Sequence, residues 1–552
     1  MKNTHRLLAA ALVLPLLVAA ALVALLTFLV SCAPLGSAKP EQEDAVTAAP
    51  TPTGAAPTPI PSAIPEGDGR FSLRYNPSAT LNPIMGTDTD NMTLSTLMYE
   101  TLFTLDADFN AVGALCGSYE TEDAKTYRLT LRRDAYMSDG AEVSAYDVVY
   151  SINQAKRSAR YAERLKNIAT VAVAGTGLVN IGLYAPDARL PALLDIPVIK
   201  DGTSGTSPRG SGPYRYVADD GVPRLVKNEF HIGVGAADAV PEIIYLVSCP
   251  DALLGEYFTE RKIDLFAEDP HAPRADIRRD RETRYYNTTT LMYIGFNPRA
   301  AAIDDVRFRR AVNIAVDRDM IVREILDGRA AASPLALPPF YHLYDKTWET
   351  AARGVSRDQV ADVRTLLSAG LEEIGMRDSD NDTFLEYPME GGMAPFAIDF
   401  IVSAENAPRA AAAKTIADAL RRVGLNIILR ELPFAEFKQA LSDGDFDMYM
   451  GETRLPANFD FSVIATPGGA LNFGNMDGGA AEQNAAFMAA RGDFNERNAA
   501  RALCVAIAEN MTFIPIAYKQ YAVHSGRNEI TGLSPTQTGV FYNITEWTID
   551  PK

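Results

Sequence analysis

The feature that most constrains the fold is an alternation of strand-like and helix-like segments between residues 395 and 450. PFAIDFIVSAEN (395–406) has the apolar run of a buried strand, and AAAAKTIADALRRVG (410–424) has apolar residues at helical spacing followed by glycine. The pattern continues as a strand, a helix and a strand: LNIILREL (425–432), PFAEFKQALSDG (433–444) and FDMYM (446–450). This βαβαβ order predicts parallel strands joined by right-handed helical crossovers, and in such sheets ligands bind outside the carboxyl ends of the strands.

The carboxyl ends of these predicted strands carry polar residues. The first strand ends near Ser403–Asn406, and the third runs into Glu452, Thr453 and Arg454. We take these last three residues as candidate ligand-binding residues because of their position. An ion pair between Glu452 and Arg454 within an exposed loop, worth about 0–1 kcal/mol, fits the same pattern.

The segments before residue 395 indicate a mixed order of strands and helices. Strands are predicted at FSLRYN (71–76) and TYRLTLRRDAYMSDG (126–140), and the second runs into an Asp-Gly turn. Helices are predicted for three further segments: LSTLMYETLFTL (94–105), AYDVVYSINQAKRS (145–158) and DVRFRRAVNIAVDRDMIVREILDG (305–328). Ser144 precedes the second of these helices and is its predicted cap.

The N-terminus has the layout of an export signal, in which positive residues precede an apolar run. Residues 7–30 carry no charge, and LVSC (29–32) resembles a bacterial lipoprotein box, where cleavage exposes a cysteine that receives diacylglycerol. We therefore expect residues 1–32 to be a lipoprotein signal peptide with lipidation at Cys32. An uncleaved anchor helix is the alternative, because the run is long enough to cross a hydrocarbon core of roughly 30 Å.

Residues 33–68 have the composition of a disordered tether. They are rich in Ala, Pro and Thr, as in APTPTGAAPTPIPSAIP, and cannot bury a core. Proline extends such segments to about 3.1 Å per residue, so the tether reaches on the order of 100 Å. We expect a globular body held at the cell membrane, lipid-anchored on its extracytoplasmic face.

Charge and cysteine content narrow the class of protein. The net charge is −18 and the pI is about 4.9, so the chain lacks the basic surface that nucleic acid requires. Besides Cys32, the chain has Cys116, Cys249 and Cys504, an odd number without metal-like spacing. We expect buried thiols. One disulfide also fits an exported protein, but the sequence does not select the pair.

Catalytic and metal-binding motifs are missing from the sequence. No HExxH or GxSxG pattern occurs, and GTGLVNIG (175–182) lacks the third glycine of a dinucleotide fingerprint, so we interpret it as a turn. DSDND (378–382) alternates aspartates like a calcium loop, but Thr383 and Met389 stand where that loop needs glycine and glutamate. We expect an Asx-rich turn there, and no catalytic residue, metal or cofactor in the protein.

Seven segments, taken in order, resemble one family of binding proteins. They are TLNPI (80–84), LMYETLFTLD (97–106), LRRDAYMSDGAEVSAYDVVYSI (131–152), GSGPY (210–214), IGFNP (294–298), VRFRRAVNIAVDRDMIVREILDG (306–328) and GDFDMYMGE (444–452). The chain thereby resembles the extracytoplasmic solute-binding proteins, family 5, of bacterial peptide and nickel ABC importers. The resemblance covers most of the chain after Gly69, and it is the order of the segments that makes it specific.

The resemblance implies an α/β fold of the two-lobed periplasmic-binding-protein type (type II), with a hinge and an extra inserted subdomain. Carried onto this chain, the parts are lobe I (69–96, 205–290 and 512–552), the inserted subdomain of lobe I (97–204) and lobe II (291–511). The chain would then cross the hinge twice, near Asn287 and near Phe513.

The resemblance also implies a function without covalent chemistry. Two lobes close on a solute and a permease recognises the closed form, so the solute must interact more strongly with the closed state. We expect a monomer that binds a peptide or peptide-like solute, held extended through its backbone, and that has ABC permease subunits as partners. The alternatives are a nickel chelate or small glycan as solute, an exported hydrolase with an unrecognised site, and a surface receptor that signals without transport.

The family's site residues transfer only in part. Well-known members place an aspartate after the FD motif to bind the α-ammonium group of a peptide, and by register this position is Pro456 in GETRLPANFDFS (451–462). Glu452 and Asp460 are candidate substitutes, and Arg454 is a candidate for bidentate carboxylate binding. Asn297 precedes proline and also fits a plain turn. By resemblance, the further cleft candidates are Thr87, Asp88, Thr89, Tyr293, Asn297 and Asn472.

Overall fold

One large sheet extends through both halves of the molecule. The structure is a computed structural model that describes residues 70–235, 240–272, 276–350 and 363–550. Two long antiparallel strands, Arg281–Phe296 and Phe513–Gly526, lie side by side in the middle of the sheet. Because both strands continue from one half into the other, they hold the two halves together.

The strands and helices have the following bounds. The strands are β1 (Phe71–Tyr75), β2 (Phe103–Leu105), β3 (Ala111–Gly113), β4 (Cys116–Glu120), β5 (Thr126–Leu131), β6 (Ile168–Gly175), β7 (Leu178–Leu183), β8 (Tyr214–Val217), β9 (Arg224–Lys227), β10 (Ile243–Ser248), β11 (Leu265–Glu268), β12 (Arg281–Phe296), β13 (Ala330–Ala332), β14 (Tyr387–Met389), β15 (Gly392–Ala394), β16 (Ala397–Ser403), β17 (Asn426–Leu432), β18 (Met448–Arg454), β19 (Phe513–Gly526), β20 (Ile530–Thr531) and β21 (Thr548–Ile549). The helices are α1 (Thr89–Met98), α2 (Ala145–Ala155), α3 (Ile232–Gly235), α4 (Leu254–Thr259), α5 (Ala301–Asp304), α6 (Val306–Ala315), α7 (Arg318–Met320), α8 (Val363–Glu373), α9 (Ala407–Arg421), α10 (Phe434–Asp443), α11 (Ser462–Ala465), α12 (Ala480–Ala489) and α13 (Asp493–Asn510).

The strand order of the large sheet separates two lobes. From one edge the order is β17-β16-β18-β12-β19-β11-β1-β10-β9-β8, and β13 also pairs with β19. The strands β16 to β18 lie on the lobe II side, β1 and β8 to β11 lie on the lobe I side, and β12 and β19 are shared. The α/β fold with two lobes and a hinge, predicted from the resemblance, is confirmed.

The crossing between the lobes is marked by an irregular register between β12 and β19. Asn287 pairs with Gln520 and Leu291 pairs with Tyr518, so three residues of β12 lie opposite Lys519 alone. On its other side, β19 pairs with β13 up to Lys519 and with β11 from Ala522 onwards. The second crossing is therefore at Tyr518–Gln520 and not near Phe513, which pairs with Gly295 well inside lobe II.

The predicted βαβαβ unit is present in lobe II. The strand β16 is parallel to both β17 and β18, and α9 and α10 provide the crossovers. Gly424 and Gly444 follow the two helices with φ of 92° and 69°, a left-handed conformation that glycine adopts without steric cost. The carboxyl end of β18 consequently lies at the edge of the sheet where β12 crosses between the lobes.

The inserted subdomain has a sheet of its own. The strands β4, β5, β7 and β6 form a four-stranded sheet, and α2 contacts β6 and β7. As predicted, Ser144 caps α2, and it does so reciprocally, because the Asp147 side chain accepts a hydrogen bond from the Ser144 backbone N–H at 2.8 Å. Of the segment 175–182, interpreted from the sequence as a turn, Thr176 and Gly177 form the tight turn between β6 and β7, whereas Leu178–Gly182 belong to β7.

The predicted helices differ from the structure in two places. Helix α1 ends at Met98, not at residue 105, because Tyr99 is extended and Gly212 packs so closely on Met98 that an added Cβ would lie 2.4 Å from its carbonyl carbon. The chain therefore leaves the helix and forms β2. The block 305–328 is also interrupted, since Val316 has ψ of 92° and separates α6 from α7.

The buried core includes contacts between the inserted subdomain and lobe II. Phe109 packs against Phe340 and Phe459, with ring centroids 5.3 Å and 6.1 Å away. The three cysteines of the described chain, at positions 116, 249 and 504, are buried free thiols. Among the described residues, none of the helices has the length and apolar character needed to cross a membrane. The predicted signal peptide, Cys32 and the tether lie outside the described residues.

Candidate ligand-binding cleft

A cavity of about 1420 Å³ lies between the lobes beside the crossing strands. Its walls come from lobe I, the inserted subdomain, lobe II and the C-terminal segment 536–545. Pockets for small ligands usually measure about 300–1,000 Å³, so this volume leaves room for a peptide-sized solute. The tyrosines Tyr286 and Tyr521, which lie on the crossing strands β12 and β19, form the part of the wall nearest the hinge.

Three arginines, Arg160, Arg164 and Arg454, line this cavity, and we call them the arginine cluster. Arg160 and Arg164 belong to the turns between α2 and β6, and their guanidinium carbons lie 5.4 Å and 5.2 Å from the ring centroid of Tyr161. This distance is within the range of cation–π attraction, which helps to fix both side chains. Arg164 also forms an ion pair with Asp195.

Arg454 is the last residue of β18 and reaches the cavity from lobe II. Its Nη2 donates to the carbonyl oxygen of Gln537 at 3.1 Å. Burial between the cavity walls, with a smaller effect of the Arg160 charge, lowers the pKa of Arg454 below its ordinary value. Burial, with smaller effects of Arg454 and Arg160, lowers the pKa of Arg164 to about 10. The charges of Arg160 and Arg454 therefore disfavour the charged form of Arg164, and the charge of Arg160 disfavours that of Arg454.

The carboxylates that line the cavity are already engaged within the protein. Five of them have cationic or imidazole partners: Glu100 with Arg132, Glu163 with Lys166, Asp195 with Arg164, Glu268 with His524 and Asp269 with Lys519. The other two accept hydrogen bonds from amide groups, Asp187 from Asn458 and Asp460 from Asn484. Among the described residues, by contrast, neither Arg160 nor Arg454 has a carboxylate partner.

A second charged group, which we call the hinge ion triad, consists of Asp269, Lys519 and Glu452. The Lys519 Nζ lies 2.6 Å from Asp269 Oδ2 of lobe I and 3.3 Å from Glu452 Oε1 of lobe II, and its side chain is 1% exposed. Burial acts to lower the pKa of Lys519, but the two carboxylates outweigh it and raise that pKa above its ordinary value. The triad therefore joins both lobes at the point where the chain crosses between them.

Asp269 titrates unusually because of this environment. Burial opposes its ionisation, but the hydrogen bond from His271 and the charge of Lys519 together lower its pKa to about 2. The His271 ring in turn lies 3.1 Å from the carbonyl oxygen of Leu326. The charged form of Asp269 is thus stabilised by lobe I and by the shared strand β19 at once.

The inserted subdomain is bonded directly to lobe II on the far side of the cavity, and we call this set the closing contact. The Asn458 Nδ2 donates to Asp187 Oδ2 at 2.8 Å, and the Ala188 backbone N–H donates to the Met488 carbonyl oxygen at 2.7 Å. The Arg189 Nε donates to the Asn458 carbonyl oxygen at 3.1 Å. Burial, together with the nearby charge of Asp460, raises the pKa of Asp187 to about 6. These bonds join the inserted subdomain to lobe II beside the cavity.

The lobe I candidates from the sequence divide between the cavity and the first helix. Thr87 and Thr89 line the cavity. Asp88 instead caps α1, where its Oδ1 accepts from the Asn91 backbone N–H at 2.9 Å and its Oδ2 accepts from Asn76 at 2.7 Å. Asp88 therefore positions its two neighbours and does not line the cavity itself.

The candidates that follow β18 also divide. Arg454 and Asp460 line the cavity, whereas Glu452 and Thr453 do not. Glu452 is bound to Lys519 in the hinge ion triad, and it forms no ion pair with Arg454. The predicted role of Glu452 as an ammonium partner and the alternative intraloop ion pair are both corrected. Asp460 remains available, because its Oδ1 accepts only from the Ser462 backbone N–H at 2.9 Å and from Asn484 at 2.8 Å.

Three candidates lie away from the cavity and are corrected by their contacts. Tyr293 is 2% exposed and packs edge-on against Tyr449, because β12 turns this side chain into the core of lobe II. The Asn297 Nδ2 donates to the Gly444 carbonyl oxygen at 3.0 Å, in a turn at the opposite end of the sheet. The Asn472 Nδ2 donates to the carbonyl oxygens of Thr466 and Met476, both at 2.8 Å, and closes its own loop.

Sequence reasoning missed the inserted subdomain's share of the site. Arg160, Tyr161 and Arg164 stand in RSARYAERLK (157–166), a turn segment without a recognisable motif. The one available signal was the spacing of two arginines around a tyrosine in a segment with no strong helical or strand pattern. Lys519 was missed as well, since a single lysine in an apolar strand does not reveal its partners.

The aspartate-rich loop forms the predicted Asx-rich turn. The two Asp378 carboxylate oxygens accept hydrogen bonds from the backbone N–H groups of Asp382 and Thr383, at 3.2 Å and 3.1 Å. Oxygens of Asp378, Asp380, Asp382 and Glu386 lie within 4.8 Å of one another. Glu386, which the sequence pattern did not include, accepts from the Ser379 backbone N–H at 2.7 Å. The loop lies outside the cavity.

Comparison with known proteins gives partial likenesses in sequence. The glutathione-binding protein GsiB of Salmonella choleraesuis is 24% identical over 280 residues, which cover 47% of this chain and 54% of that protein. The chain thus spans about half the length of this curated relative. This sequence similarity does not assign a ligand contact to any residue of the chain.

Solved structures are similar over most of the chain. NikZ from Campylobacter jejuni, in complex with Ni(L-His), has a TM-score of 0.62 and 19% identity, covering 88% of this chain and all (100%) of that one. The oligopeptide-binding protein AppA from Bacillus subtilis, in complex with a nonapeptide, has a TM-score of 0.59 and 18% identity, covering 88% and 97%. At such identities the likeness establishes the fold.

A family model matches the longest continuous part of the sequence. The model for bacterial extracellular solute-binding proteins, family 5, matches residues 110–464. That range contains the inserted subdomain from β3 onwards, the strand β12, the βαβαβ unit and Arg454. Because the match covers more than half of its length, this chain belongs to the family 5 bacterial extracellular solute-binding proteins.

Proposed function

We propose that this protein captures a peptide or peptide-like solute between its lobes and delivers it to the permease of an ABC importer. The observation that carries the proposal is the cavity of about 1420 Å³, enclosed by both lobes and by the inserted subdomain. A solute in this cavity contacts all three parts only when they are together, so its binding favours the closed form. The relative named for glutathione and the similar structure with a bound nonapeptide support a peptide-like solute.

The charged groups of the cavity suit the two ends of a peptide. Within the described part of the chain, Asp460 has only neutral partners, so its carboxylate is available to an α-ammonium group. Arg454 and Arg160 are available to a carboxylate, which arginine binds in a bidentate manner. Asp460 thereby takes the role that other family members give to the residue at the position of Pro456.

The protein's part in transport is binding and release, without a change in any covalent bond. Closure of the lobes makes the form that a permease recognises, and reopening at the permease releases the solute. Lipidation at Cys32 would hold the protein at the extracytoplasmic face of the membrane, and the segment 33–68 would give the lobes their reach.

Thermal denaturation of the purified full chain tests the binding proposal. A tripeptide mixture is compared with a nickel–histidine complex and with small glycans, each in excess. A solute at a hundredfold excess over its dissociation constant stabilises the folded state by about 2.7 kcal/mol, which raises the melting temperature. Stabilisation by peptides supports the proposal, whereas stabilisation by the nickel complex or glycans alone reassigns the solute. Mass spectrometry of the same mixtures detects hydrolysis, and a product would assign an enzyme instead.

The membrane anchor has a separate test. The Cys32→Ala variant should lose incorporation of radiolabelled palmitate and should leave the membrane fraction, while the thermal response to peptides stays the same. Retention of both labelling and membrane association by this variant would contradict the proposed lipidation site.

A further inference from the structure

We infer that the solute carries two carboxylate groups and one ammonium group, because the cavity presents two arginines and one aspartate whose charges the protein leaves unmatched. This inference rests on the proposed function and specifies its solute. The three residues are Arg160, Arg454 and Asp460. A solute with the complementary groups has a net charge of −1, as an acidic tripeptide or glutathione has.

The other charged groups in the cavity wall are paired within the protein. Arg164 is paired with Asp195, and Lys166 lies 2.6 Å from Glu163. Glu100, Glu268 and Asp269 are paired with Arg132, His524 and Lys519, respectively. These groups bring their own counter-charges into the closed cavity, so they require none from a solute.

Asp187 is the acidic neighbour of Asp460. The Asp187 Oδ1 accepts from the Arg189 backbone N–H at 2.9 Å, and its Oδ2 accepts from Asn458 at 2.8 Å. The Asp187 side chain is 1% exposed, so these bonds occupy both oxygens and leave no open approach for a ligand. Asp460 is therefore the carboxylate of this wall that remains accessible for an ammonium group.

The two arginines line the cavity from different parts of the molecule. Arg160 belongs to the inserted subdomain and Arg454 to lobe II, so they approach the cavity from parts that separate when the lobes open. Arg160 rests on the Tyr161 ring, and Arg454 donates to one carbonyl oxygen of the Gln537 backbone. Both arginines are exposed to the solvent of the cavity, and each has donors left for a carboxylate.

Two carboxylates placed at these arginines would also favour closure. Each arginine repels its neighbours in the cluster when the walls come together, and a negatively charged solute between them removes that repulsion. The solute then interacts more strongly with the closed form than with the open form, which is the condition for closure to depend on binding. A solute with one carboxylate leaves one arginine unmatched and gains less from closure.

A matched set of tripeptides tests the inference by isothermal titration of the full chain. Ala-Ala-Glu and Ala-Ala-Gln have nearly the same size and differ in the second carboxylate, and glutathione supplies both carboxylates on another backbone. We expect Ala-Ala-Glu or glutathione to bind at least about tenfold more tightly than Ala-Ala-Gln, since hydrogen bonds between charged groups are stronger than those to a neutral amide. Equal or tighter binding of Ala-Ala-Gln than of both diacids overturns the inference.

Variants assign the preference to the arginines. Arg160→Met and Arg454→Met should each reduce the preference for Ala-Ala-Glu over Ala-Ala-Gln about tenfold, and the unliganded melting temperature should stay the same or rise as repulsion is removed. Arg133→Met is the matched control, because Arg133 is an exposed arginine of the same subdomain outside the cavity. Retention of the full preference by both cavity variants overturns the assignment.

The outcomes separate this inference from the function on which it rests. If all the tripeptides bind with equal affinity, the protein is a peptide-binding protein and the charge inference fails alone. If none of the tripeptides and no glutathione binds, while a nickel–histidine complex or a glycan does, the proposed function fails and the charge inference fails with it.

Discussion

The hinge ion triad lies beside the cleft and the arginine cluster lines it, and the surroundings of their positive charges differ. Lys519 lies between Asp269 and Glu452, so two carboxylates face one ammonium group. Arg160 and Arg454 have a ring and a carbonyl oxygen as their neighbours, and no carboxylate within the described residues. The first group is neutralised by the protein itself, whereas the second leaves Arg160 and Arg454 open to solvent and to a solute.

The contrast is sharpest on strand β18. Glu452 and Arg454 are two residues apart and share one face of the strand, so both were reasonable binding residues. Glu452 lies inside the sheet, where Lys519 is within reach, and Arg454 stands at the strand's end, where it reaches the cavity. A charged residue at a strand end is thus assigned a structural or a binding role by the partners that the tertiary fold supplies.

The largest effect is expected from Lys519→Met. The substitution leaves the partly buried Asp269 and Glu452 without their shared cation, which should lower the free energy of unfolding by up to about 3–5 kcal/mol. Urea denaturation measures the loss, and Arg454→Met is the control that should show no loss in the unliganded protein. Equal stability of the Lys519 and Arg454 variants would remove the distinction between the two charged groups.

A smaller effect is expected from Asn458→Ala in the closing contact. The substitution leaves the Asp187 carboxylate without its amide donor in the closed form, at a cost of about 1–3 kcal/mol, which corresponds to roughly 5- to 150-fold weaker solute binding. Titration with glutathione and with Ala-Ala-Glu measures the change. Asn180→Ala, at an exposed position of β7, is the control and should bind as the wild type does. Unchanged affinity of the Asn458 variant would show that this contact does not hold the lobes closed.

The two buried aspartates predict opposite responses to acid. The pKa of Asp187 is raised to about 6, so the folded form takes up a proton first and stability should rise as the pH falls from about 6 to about 4. The pKa of Asp269 is lowered to about 2, so its stabilising effect is complete above about pH 4 and is lost as the pH falls towards 2. Between pH 7 and pH 4, the free energy of unfolding of the wild type should rise by on the order of 2 kcal/mol more than that of the Asp187→Asn variant, as denaturation at each pH will show. The same pH dependence of stability in the wild type and in Asp187→Asn would contradict the assignment of this response to Asp187.

The smallest expected effect is that of salt. Solute binding at the arginine cluster should weaken several-fold between low and high ionic strength, because the open cavity admits salt, whereas the buried triad is screened much less. Titration with Ala-Ala-Glu at two salt concentrations is compared with urea denaturation of the unliganded protein at the same two. A loss of stability as large as the loss of binding energy would show that the triad is not shielded from solvent.

Much of the fold followed from local patterns in the sequence. The βαβαβ unit was predictable because buried strands, helical periodicity and the terminal glycines Gly424 and Gly444 agree with one another. The end of α1 was not predictable, since it depends on the close packing of Gly212 on Met98, more than a hundred residues away. The second crossing was placed too early because β19 runs through both lobes as one continuous strand, and its change of neighbour at Lys519 marks the hinge.

The site was less predictable than the fold. Arg454 and Asp460 were found through their position after a strand, and Thr87 through its resemblance to the family. Tyr293 and Asn297 were misplaced because a motif identifies a segment without showing which face of a strand or which end of a sheet it occupies. The contribution of the inserted subdomain depends on contacts between distant segments, which no local pattern contains.

If the lobes move together around a solute, small-angle X-ray scattering of the full chain detects the change in shape. A saturating acidic tripeptide should reduce the radius of gyration of the wild type. Unliganded Asn458→Ala should also be more extended than the unliganded wild type. A scattering profile that stays the same while calorimetry records binding of that tripeptide would contradict the account.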